Sequence, residues 1–161
     1  YFHMDRDLCM GGWRSHKVTV GAYQYDGVVM FNESTQEYFE HSLALTDKAT
    51  RDGLFNGVHP VYTKVRSRVP TYYGENCQLE NVVVADGCML DGNVKNSVLF
   101  RTVTVSENVN VENCVIMNDT VVGEGCDLKN VILDKNVTVT PGTKLYGTRA
   151  NPIVIKRGET V

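Results

Sequence analysis

The sequence predicts an all-β fold for its C-terminal half: a parallel β-helix in which three short strands make each triangular coil. The first observation is a period near six in the aliphatic residues, which neither a helix with period 3.6 nor a strand with period two produces. The ladder consists of Leu79, Val84, Leu90, Val94, Leu99, Val105, Val111, Ile116, Val122, Leu128, Leu133, Val139 and Leu145. We therefore expect about four coils of a hexapeptide-repeat β-helix.

The second observation is a column of small or β-branched residues two positions before each aliphatic rung. It consists of Cys77, Val82, Cys88, Gly92, Ser97, Val103, Val109, Cys114, Thr120, Cys126, Val131, Val137 and Thr143. Residues i and i−2 of a strand share a face, so both columns are predicted to point inward. A narrow prism then receives one large and one small side chain from each side.

The spacing also predicts the corners and the end of the coil. A coil takes 17 residues and is shortened once to 15, and Asn96, Asn113 and Asn130 recur one coil apart. Asparagine tolerates the left-handed backbone conformation that tight corners require. Residues 151–161 contain the apolar run Ile153-Val-Ile155. We interpret this segment as the last strand or a cap on the prism.

Composition limits the classes of function. The chain has 161 residues and a net charge of −3, so no basic field attracts nucleic acid. No apolar run is long enough to span a membrane, and no signal peptide is visible. Four of the five cysteines fall in the small-residue column, with no C-x-x-C pair. This pattern favours reduced core cysteines in a cytoplasmic protein over disulfides or a metal site.

The N-terminal third reads as the tail of another domain. Residues 18–31 predict two strands about a turn at Asp26-Gly27. Ser34 and Glu37 form a capping-box pattern that predicts a helix to about Leu45, and Asp47 caps a second helix ending near Phe55. These elements are too few for a core of their own. We therefore divide the chain into residues 1–57, a domain remnant; 58–74, a linker; and 75–161, the β-helix.

Four segments resemble a known family. They are Pro60-Val-Tyr-Thr-Lys-Val-Arg66, Pro70-Thr-Tyr-Tyr-Gly74, Asn96-Ser-Val-Leu99 and Pro152-Ile-Val-Ile-Lys-Arg-Gly158. Together they resemble the C-terminal region of bacterial ADP-glucose pyrophosphorylase (glucose-1-phosphate adenylyltransferase), in particular the regulatory D-type subunit of glycogen biosynthesis. The helical segment before them is similar to the end of that family's nucleotidyltransferase domain.

The resemblance carries several expectations. The fold would be a single-stranded left-handed parallel β-helix preceded by a small α+β remnant of a nucleotidyltransferase domain. The parent enzyme makes ADP-glucose and diphosphate from ATP and glucose 1-phosphate with Mg²⁺. Its Gly-rich nucleotide loop and metal carboxylates have no counterpart here, so this chain is expected to hold no catalytic residue, metal or cofactor. The β-helix would serve association with a catalytic subunit of the same enzyme or with itself, in a hetero- or homo-oligomer, and help bind a phosphorylated effector.

A phosphorylated effector requires fixed cations, preferably arginine, whose planar fork matches phosphate oxygens. Arg101 follows the rung at Leu99. In the family that this chain resembles, an arginine just after a similar Ser-Val stretch contacts the effector, and the resemblance implies the same role for Arg101. The alternative is that the Arg101 side chain is solvated. Lys64, Arg66 and Arg68 alternate along the linker, and they either face an interdomain cleft or are exposed or paired with carboxylates of the nucleotidyltransferase domain. Arg149 lies near Lys156 and Arg157 in the sequence. These three cations form either a phosphate site or a charged cap that blocks strand pairing at the end of the β-helix.

Two other functions compete with this interpretation. Hexapeptide acyltransferases need a general base, usually histidine, on a coil, and zinc-dependent carbonic anhydrases on this fold need several histidine ligands. All four histidines precede the first rung, which argues against both classes. The second alternative is an oligomerisation module of another sugar-nucleotide pyrophosphorylase, such as a mannose-1-phosphate guanylyltransferase. The linker pattern argues against that alternative without excluding it.

Overall fold

A computed structural model describes residues 3–55, 57, 60–63 and 67–161. Its C-terminal part is a three-sided parallel β-helix made of fifteen short strands. In chain order they are β1 (Tyr72–Tyr73), β2 (Gln78–Glu80), β3 (Val83–Val84), β4 (Met89–Leu90), β5 (Asn93–Lys95), β6 (Val98–Leu99), β7 (Thr104–Val105), β8 (Asn110–Glu112), β9 (Val115–Ile116), β10 (Val121–Val122), β11 (Asp127–Lys129), β12 (Val131–Leu133), β13 (Thr138–Val139), β14 (Lys144–Tyr146) and β15 (Ile153–Ile155). The predicted architecture is therefore confirmed.

Every third strand belongs to the same sheet, so each coil adds one strand to each of three sheets. Sheet A stacks β1-β4-β7-β10-β13, sheet B stacks β2-β5-β8-β11-β14, and sheet C stacks β3-β6-β9-β12-β15. All neighbouring strands are parallel, as in Leu128 opposite Val111 on one side and Leu145 on the other. About four turns of the coil therefore separate the first strand of each sheet from the last. β1 already pairs with β4, although it lies within the segment interpreted as linker.

The predicted ladder forms the interior of the prism. Ten of its thirteen residues, from Leu90 to Val139, are buried. The exceptions lie in the terminal coils, where Leu79 is 39% exposed and Val84 and Leu145 are half-buried. Cys88, Cys114 and Cys126 are buried free thiols of the small-residue column, as predicted, and burial raises the pKa of Cys114 to about 12. The core is thus a stack of interdigitated layers without a central channel.

The corner between sheets B and C repeats one backbone conformation. Asn81, Asn96, Asn113 and Asn130 all have φ between 47° and 52°. This is the left-handed region, which asparagine adopts at lower cost than β-branched or bulky residues do. The predicted role of the asparagine column at tight corners is therefore confirmed.

The shortened coil occurs where sheet A turns into sheet B. Met89 pairs with Thr104, fifteen residues on, because only Asp91 and Gly92 connect β4 to β5. A Cβ atom on Gly92 would lie 2.8 Å from the carbonyl oxygen of Val109 and 2.9 Å from that of Ser106. Glycine therefore permits the backbone of this coil to approach the next one.

The C-terminal segment closes the far end of the prism. β15 pairs with β12, and Thr160 forms a parallel bridge with Thr138. Val161 packs against the core, and its amide donates a hydrogen bond to the carbonyl of Thr138. The segment is thus both the last strand and the cap that the apolar run predicted.

The N-terminal part is helical. Residues Met4–Met10 form a π-helical segment that continues into α1 (Gly11–Arg14); α2 spans Thr35–Ala44 and α3 spans Lys48–Leu54. Both later helices match their predicted bounds and caps. All of these helices are much shorter than the roughly 20 residues that cross a bilayer, and none of the described helices qualifies as a membrane span.

The predicted hairpin over residues 18–31 is wrong. This segment contains no helix or strand, is largely exposed and forms no ladder with any described strand. A two-stranded hairpin is marginal in water without a sheet or helix to cover its apolar face. Alternation of apolar residues about Asp26-Gly27 is therefore not sufficient for strand pairing in this chain.

Candidate functional site

Side-chain hydrogen bonds cap helix α2 at both of its ends. At the first turn, Ser34 Oγ accepts a hydrogen bond of 3.1 Å from the amide of Glu37, and Glu37 Oε2 accepts one of 3.1 Å from the amide of Ser34. After the last turn, Arg51 Nη1 donates to the carbonyls of Leu45 and Thr46, both at 2.7 Å. These bonds satisfy backbone groups that a helix leaves unpaired at its ends.

The apolar side of α2 packs on the outer face of sheet C. Phe39 is fully buried there against Val115 and Ile132, which point away from the prism interior. Tyr38 and Leu43 are partly buried beside it. Burying a phenylalanine side chain contributes about 1.5–3 kcal/mol. The segment interpreted as the end of a nucleotidyltransferase domain is therefore attached to the β-helix along sheet C.

A cleft lies between α2 and the asparagine corner of the β-helix. Its volume is about 350 Å³, within the range of small-molecule sites. The lining residues are Phe39, Glu40, Leu43, Ala44, Thr46, Asp47, Asn96, Asn113 and Arg149. The helix contributes an apolar wall, and the corner contributes amide groups and a guanidinium. We name this space the helix–corner cleft.

Asn113 presents an unusual polar group at this cleft. It is 7% exposed, and its Oδ1 atom accepts no hydrogen bond from any described residue. A buried acceptor without a partner costs about 1–3 kcal/mol. Asn130, one coil further on, has the same unsatisfied Oδ1 atom, although its Nδ2 donates to the carbonyl of Gly147 at 3.0 Å. The corner therefore holds two buried acceptors, of which the one on Asn113 belongs to a side chain that lines the cleft.

Arg149 reaches the cleft because the last coil contains extra residues. Val131 pairs with Ile153, twenty-two positions on, whereas the other coils take seventeen residues or, in the shortened coil, fifteen. The additional residues form a loop over Gly147–Asn151, in which Thr148 and Asn151 exchange backbone hydrogen bonds of 3.2 Å. A Cβ atom on Gly147 would lie 2.4 Å from the carbonyl oxygen of Asn130, so glycine allows this close approach.

The charges of the cleft leave Arg149 available. Asp47 accepts hydrogen bonds from the amide and the hydroxyl of Thr50, which cap α3 and lower the pKa of the Asp47 carboxyl. Glu40 accepts from Gln36 Nε2 at 3.0 Å. Within the described part of the chain, Arg149 forms no ion pair with a carboxylate. An unpaired guanidinium is suited to bind a phosphate or carboxylate in a bidentate manner.

The other predicted cations do not join this site. Arg101 lies at the corner between sheets C and A, after β6, whereas Arg149 lies between sheets B and C. Arg101 is half-buried, and its Nε atom has no partner among the described residues. Lys64 and Arg66 lie outside the described residues. Lys156 and Arg157 follow β15, so that strand separates them from Arg149.

Sequence reasoning identified Arg149 but missed the surfaces that make the cleft. Asn113 appeared only as a corner residue, and the apolar residues of α2 had no assigned partner. The outward-facing aliphatic residues of sheet C, Val115 and Ile132, are the signal that could have located the helix, because the equivalent positions on sheet B are polar.

Comparisons with known proteins agree with this architecture. A sequence profile described as "GlmU-like, C-terminal hexapeptide" matches residues 68–150. "Glycogen biosynthesis protein GlgD" of Bacillus subtilis (strain 168) is 40% identical over 144 residues, which cover 89% of this chain and 42% of that protein. The protein of the same name from Geobacillus stearothermophilus is 48% identical over 117 residues, or 73% of this chain and 34% of that protein.

A more distant relative carries the name of an enzyme. "Glucose-1-phosphate adenylyltransferase" of Acetivibrio thermocellus is 34% identical over 86 residues, which cover 53% of this chain and 20% of that protein. The chain thus spans less than half the length of the curated relatives that it matches. The resemblance inferred from the linker and repeat segments is confirmed.

Proposed function

This chain belongs to the GlmU-like C-terminal hexapeptide family, and on that premise we propose that it is the regulatory and assembly region of a glucose-1-phosphate adenylyltransferase complex in glycogen biosynthesis. The names of the GlgD relatives and of the more distant adenylyltransferase support this assignment. The complex would convert ATP and glucose 1-phosphate into ADP-glucose and diphosphate in the cytoplasm. Mg²⁺ and the catalytic groups would belong to a nucleotidyltransferase domain rather than to the residues of this chain.

The observation that carries the proposal is the helix–corner cleft. It joins α2, which resembles the end of a nucleotidyltransferase domain, to the corner of the β-helix. A ligand bound there contacts both parts and favours one arrangement of the helix on the sheet. Differential binding of this kind is the physical requirement for an allosteric effector.

The chemistry of the cleft suits a phosphorylated sugar. Arg149 would pair with the phosphate oxygens, since no carboxylate of the described residues occupies its guanidinium. The side-chain amide of Asn113, which lines the cleft, would turn toward the sugar so that its buried, unpartnered Oδ1 accepts a hydrogen bond from a hydroxyl group. Leu43 and Ala44, which are partly exposed, would contact the apolar face of the sugar ring.

Steady-state kinetics of the full-length protein with its catalytic subunit would test the proposal. ATP and glucose 1-phosphate are the substrates, and a panel of hexose phosphates and inorganic phosphate are the probes. Arg149→Ala should raise the half-saturating effector concentration roughly tenfold to a hundredfold, because a hydrogen bond to a charged group contributes about 1.5–3 kcal/mol. The rate without effector should not change.

Arg157→Ala is the matched control, because Arg157 is an exposed arginine beyond β15. Equal effector responses in both variants would rule out the cleft as the effector site. Asn113→Gly removes the Oδ1 acceptor while keeping a residue that tolerates the left-handed corner, and it should also weaken the response.

The profile match favours one further candidate, an oligomerisation module of another sugar-nucleotide pyrophosphorylase. The two candidates differ in the nucleotide that the whole complex consumes. Activity with GTP and a different sugar 1-phosphate, but not with ATP and glucose 1-phosphate, would select the alternative.

A further inference from the structure

The outer face of sheet B carries two straight columns of polar side chains. The strand register places Glu80, Lys95, Glu112 and Lys129 in one column, with charges that alternate along the coil, and the column ends at the uncharged Tyr146 of β14. The second column, two residues earlier on each strand, contains Gln78, Asn93, Asn110, Asp127 and, on β14, Lys144. Adjacent strands lie about 4.8 Å apart, so the four charges extend over roughly 14 Å.

This face differs from the other two sides of the prism. Sheet C is covered by α2 within the chain. The outward column of sheet A, which includes Met89, Thr104 and Val121, carries no charge. Sheet B has no helix over it among the described residues, and a shallow hollow of about 710 Å³ extends across its strands. It is therefore the side on which charge can specify a partner.

The side chains of sheet B are ordered by bonds within the chain but retain hydrogen-bonding capacity. Lys95 Nζ lies 2.7 Å from Glu80 Oε2, and Lys129 Nζ lies 2.8 Å from Glu112 Oε2. An ammonium group has three donors, so each lysine can bind a second carboxylate. The two pairs are half-exposed, with side-chain exposures between 42% and 61%. Little further side-chain ordering is then required when a partner docks.

We propose that this face binds the same face of a second copy of the chain, with the two coil axes antiparallel. The two-fold axis of this dimer runs parallel to the strands of sheet B. It reverses the order of the coils in the partner, and each column of side chains faces the same column of the partner. Glu80 then lies opposite the partner's Lys129, and Lys95 lies opposite the partner's Glu112. Each pair occurs twice in such an isologous interface, which gives four contacts of opposite charge. The inference rests on the assembly role in the proposed function and assigns a surface to it.

The second column is compatible with the same arrangement. Gln78 would face the partner's Asp127, and Asn93 would face the partner's Asn110. Amide groups contain both donors and acceptors, so these contacts juxtapose no like charges. Asn93 and Asn110 already form an amide–amide hydrogen bond of 3.2 Å within the chain.

The alternating charges also select the register. A shift by one coil would place Lys95 opposite the partner's Lys129 and Glu112 opposite the partner's Glu112. A shift in the other direction would place Lys95 opposite the partner's Lys95. If the two-fold axis were parallel to the coil axis instead, the charged column of one copy would face the amide column of the other. Because like charges in contact are costly, only the proposed register avoids repulsion while pairing all four charges of the first column; Tyr146 and Lys144 of β14 then lie beyond the partner's β2.

Sedimentation velocity of the 161-residue chain tests the interface. The chain should form a dimer that weakens at about 0.5 M salt, because screening reduces the attraction between exposed charges. Lys95→Glu/Lys129→Glu makes the column wholly acidic, and Glu80→Lys/Glu112→Lys makes it wholly basic. Each variant alone should show a dissociation constant raised at least about tenfold. An equimolar mixture of the two should restore the dimer.

Lys135→Glu/Lys156→Glu is the matched control, because it changes the net charge equally at exposed positions away from sheet B. It should leave the dimer intact, and circular dichroism should show that all variants remain folded. A monomeric wild-type chain, a dimer unaffected by both charge variants, or a mixture no tighter than its components would overturn the interface. The kinetic assay with the catalytic subunit separates the interface from the proposed function. A monomer that still confers the effector response overturns the interface alone. A dimer through sheet B that has no effect on catalysis overturns the proposed function.

Discussion

Phe39 of α2 is fully buried against Ile132 on the outer face of sheet C. This contact joins residues 93 positions apart and belongs to neither the repeat nor the helix alone. It positions the helical wall of the helix–corner cleft. The strength of that attachment is therefore the first property to measure.

Phe39→Ala should release α2 from the β-helix. Removing a buried phenylalanine side chain costs about 3–5 kcal/mol where the site cannot collapse. Because the prism interior is separate from this contact, the loss should appear as faster hydrogen exchange in residues 35–44 with little change in β8 to β12. Tyr23→Ala, at a side chain that is 88% exposed, is the control and should leave exchange unchanged. Equal protection of α2 in both variants would contradict this role.

Gly147→Ala should disturb the loop that carries Arg149. The added Cβ would lie 2.4 Å from the carbonyl oxygen of Asn130 and 2.8 Å from the amide nitrogen of Ile153, both backbone atoms that cannot rotate away. We expect a loss of about 1–3 kcal/mol in the free energy of unfolding, measured by urea denaturation. Gly21→Ala has no heavy atom within 4 Å of the new Cβ and should show no such loss.

Cys114 should make the protein less stable in alkaline solution. Burial raises the pKa of its thiol to about 12, above the ordinary value near 8.5. The unfolded chain therefore loses this proton at lower pH than the folded chain does. The contribution of Cys114 is fully present below about pH 8.5 and is lost as pH rises toward 12. Urea denaturation at pH 8 and pH 10.5 should show a larger loss for the wild type than for Cys114→Ala, and equal losses would contradict the prediction.

Arg101→Ala tests a second candidate cation. Its Nε atom is buried without a partner among the described residues, and the side chain lies at the opposite edge of sheet C from Arg149. If Arg101 binds a separate phosphate, Arg101→Ala should weaken the effector response by roughly tenfold or more while Arg149→Ala acts independently. Arg101→Lys keeps the charge but not the fork and should restore only part of the response. An unchanged response in the full complex would remove Arg101 from the site.

The interior of the β-helix was predictable almost residue by residue. The aliphatic rungs, the small column, the shortened coil and the left-handed asparagines all follow from a repeat in which each position contacts its equivalent in the next coil. The capping box of α2, the Asp47 cap of α3 and the bounds of both helices were also predictable, since capping acts between residues three positions apart. The hairpin over residues 18–31 failed because strand pairing requires a neighbouring surface that local alternation does not reveal.

Local periodicity thus determined the coil, its core and its corners, because every contact that builds them recurs at a constant separation along the chain. Only the tertiary structure decided which face α2 covers, how the loop over Gly147–Asn151 brings Arg149 to Asn113, and that Arg101 lies elsewhere. These relationships join segments at irregular separations, and they depend on the shape and burial of surfaces that form only after the coil is complete. The candidate site depends on these irregular contacts, whereas the β-helix that supports it depends on the repeat.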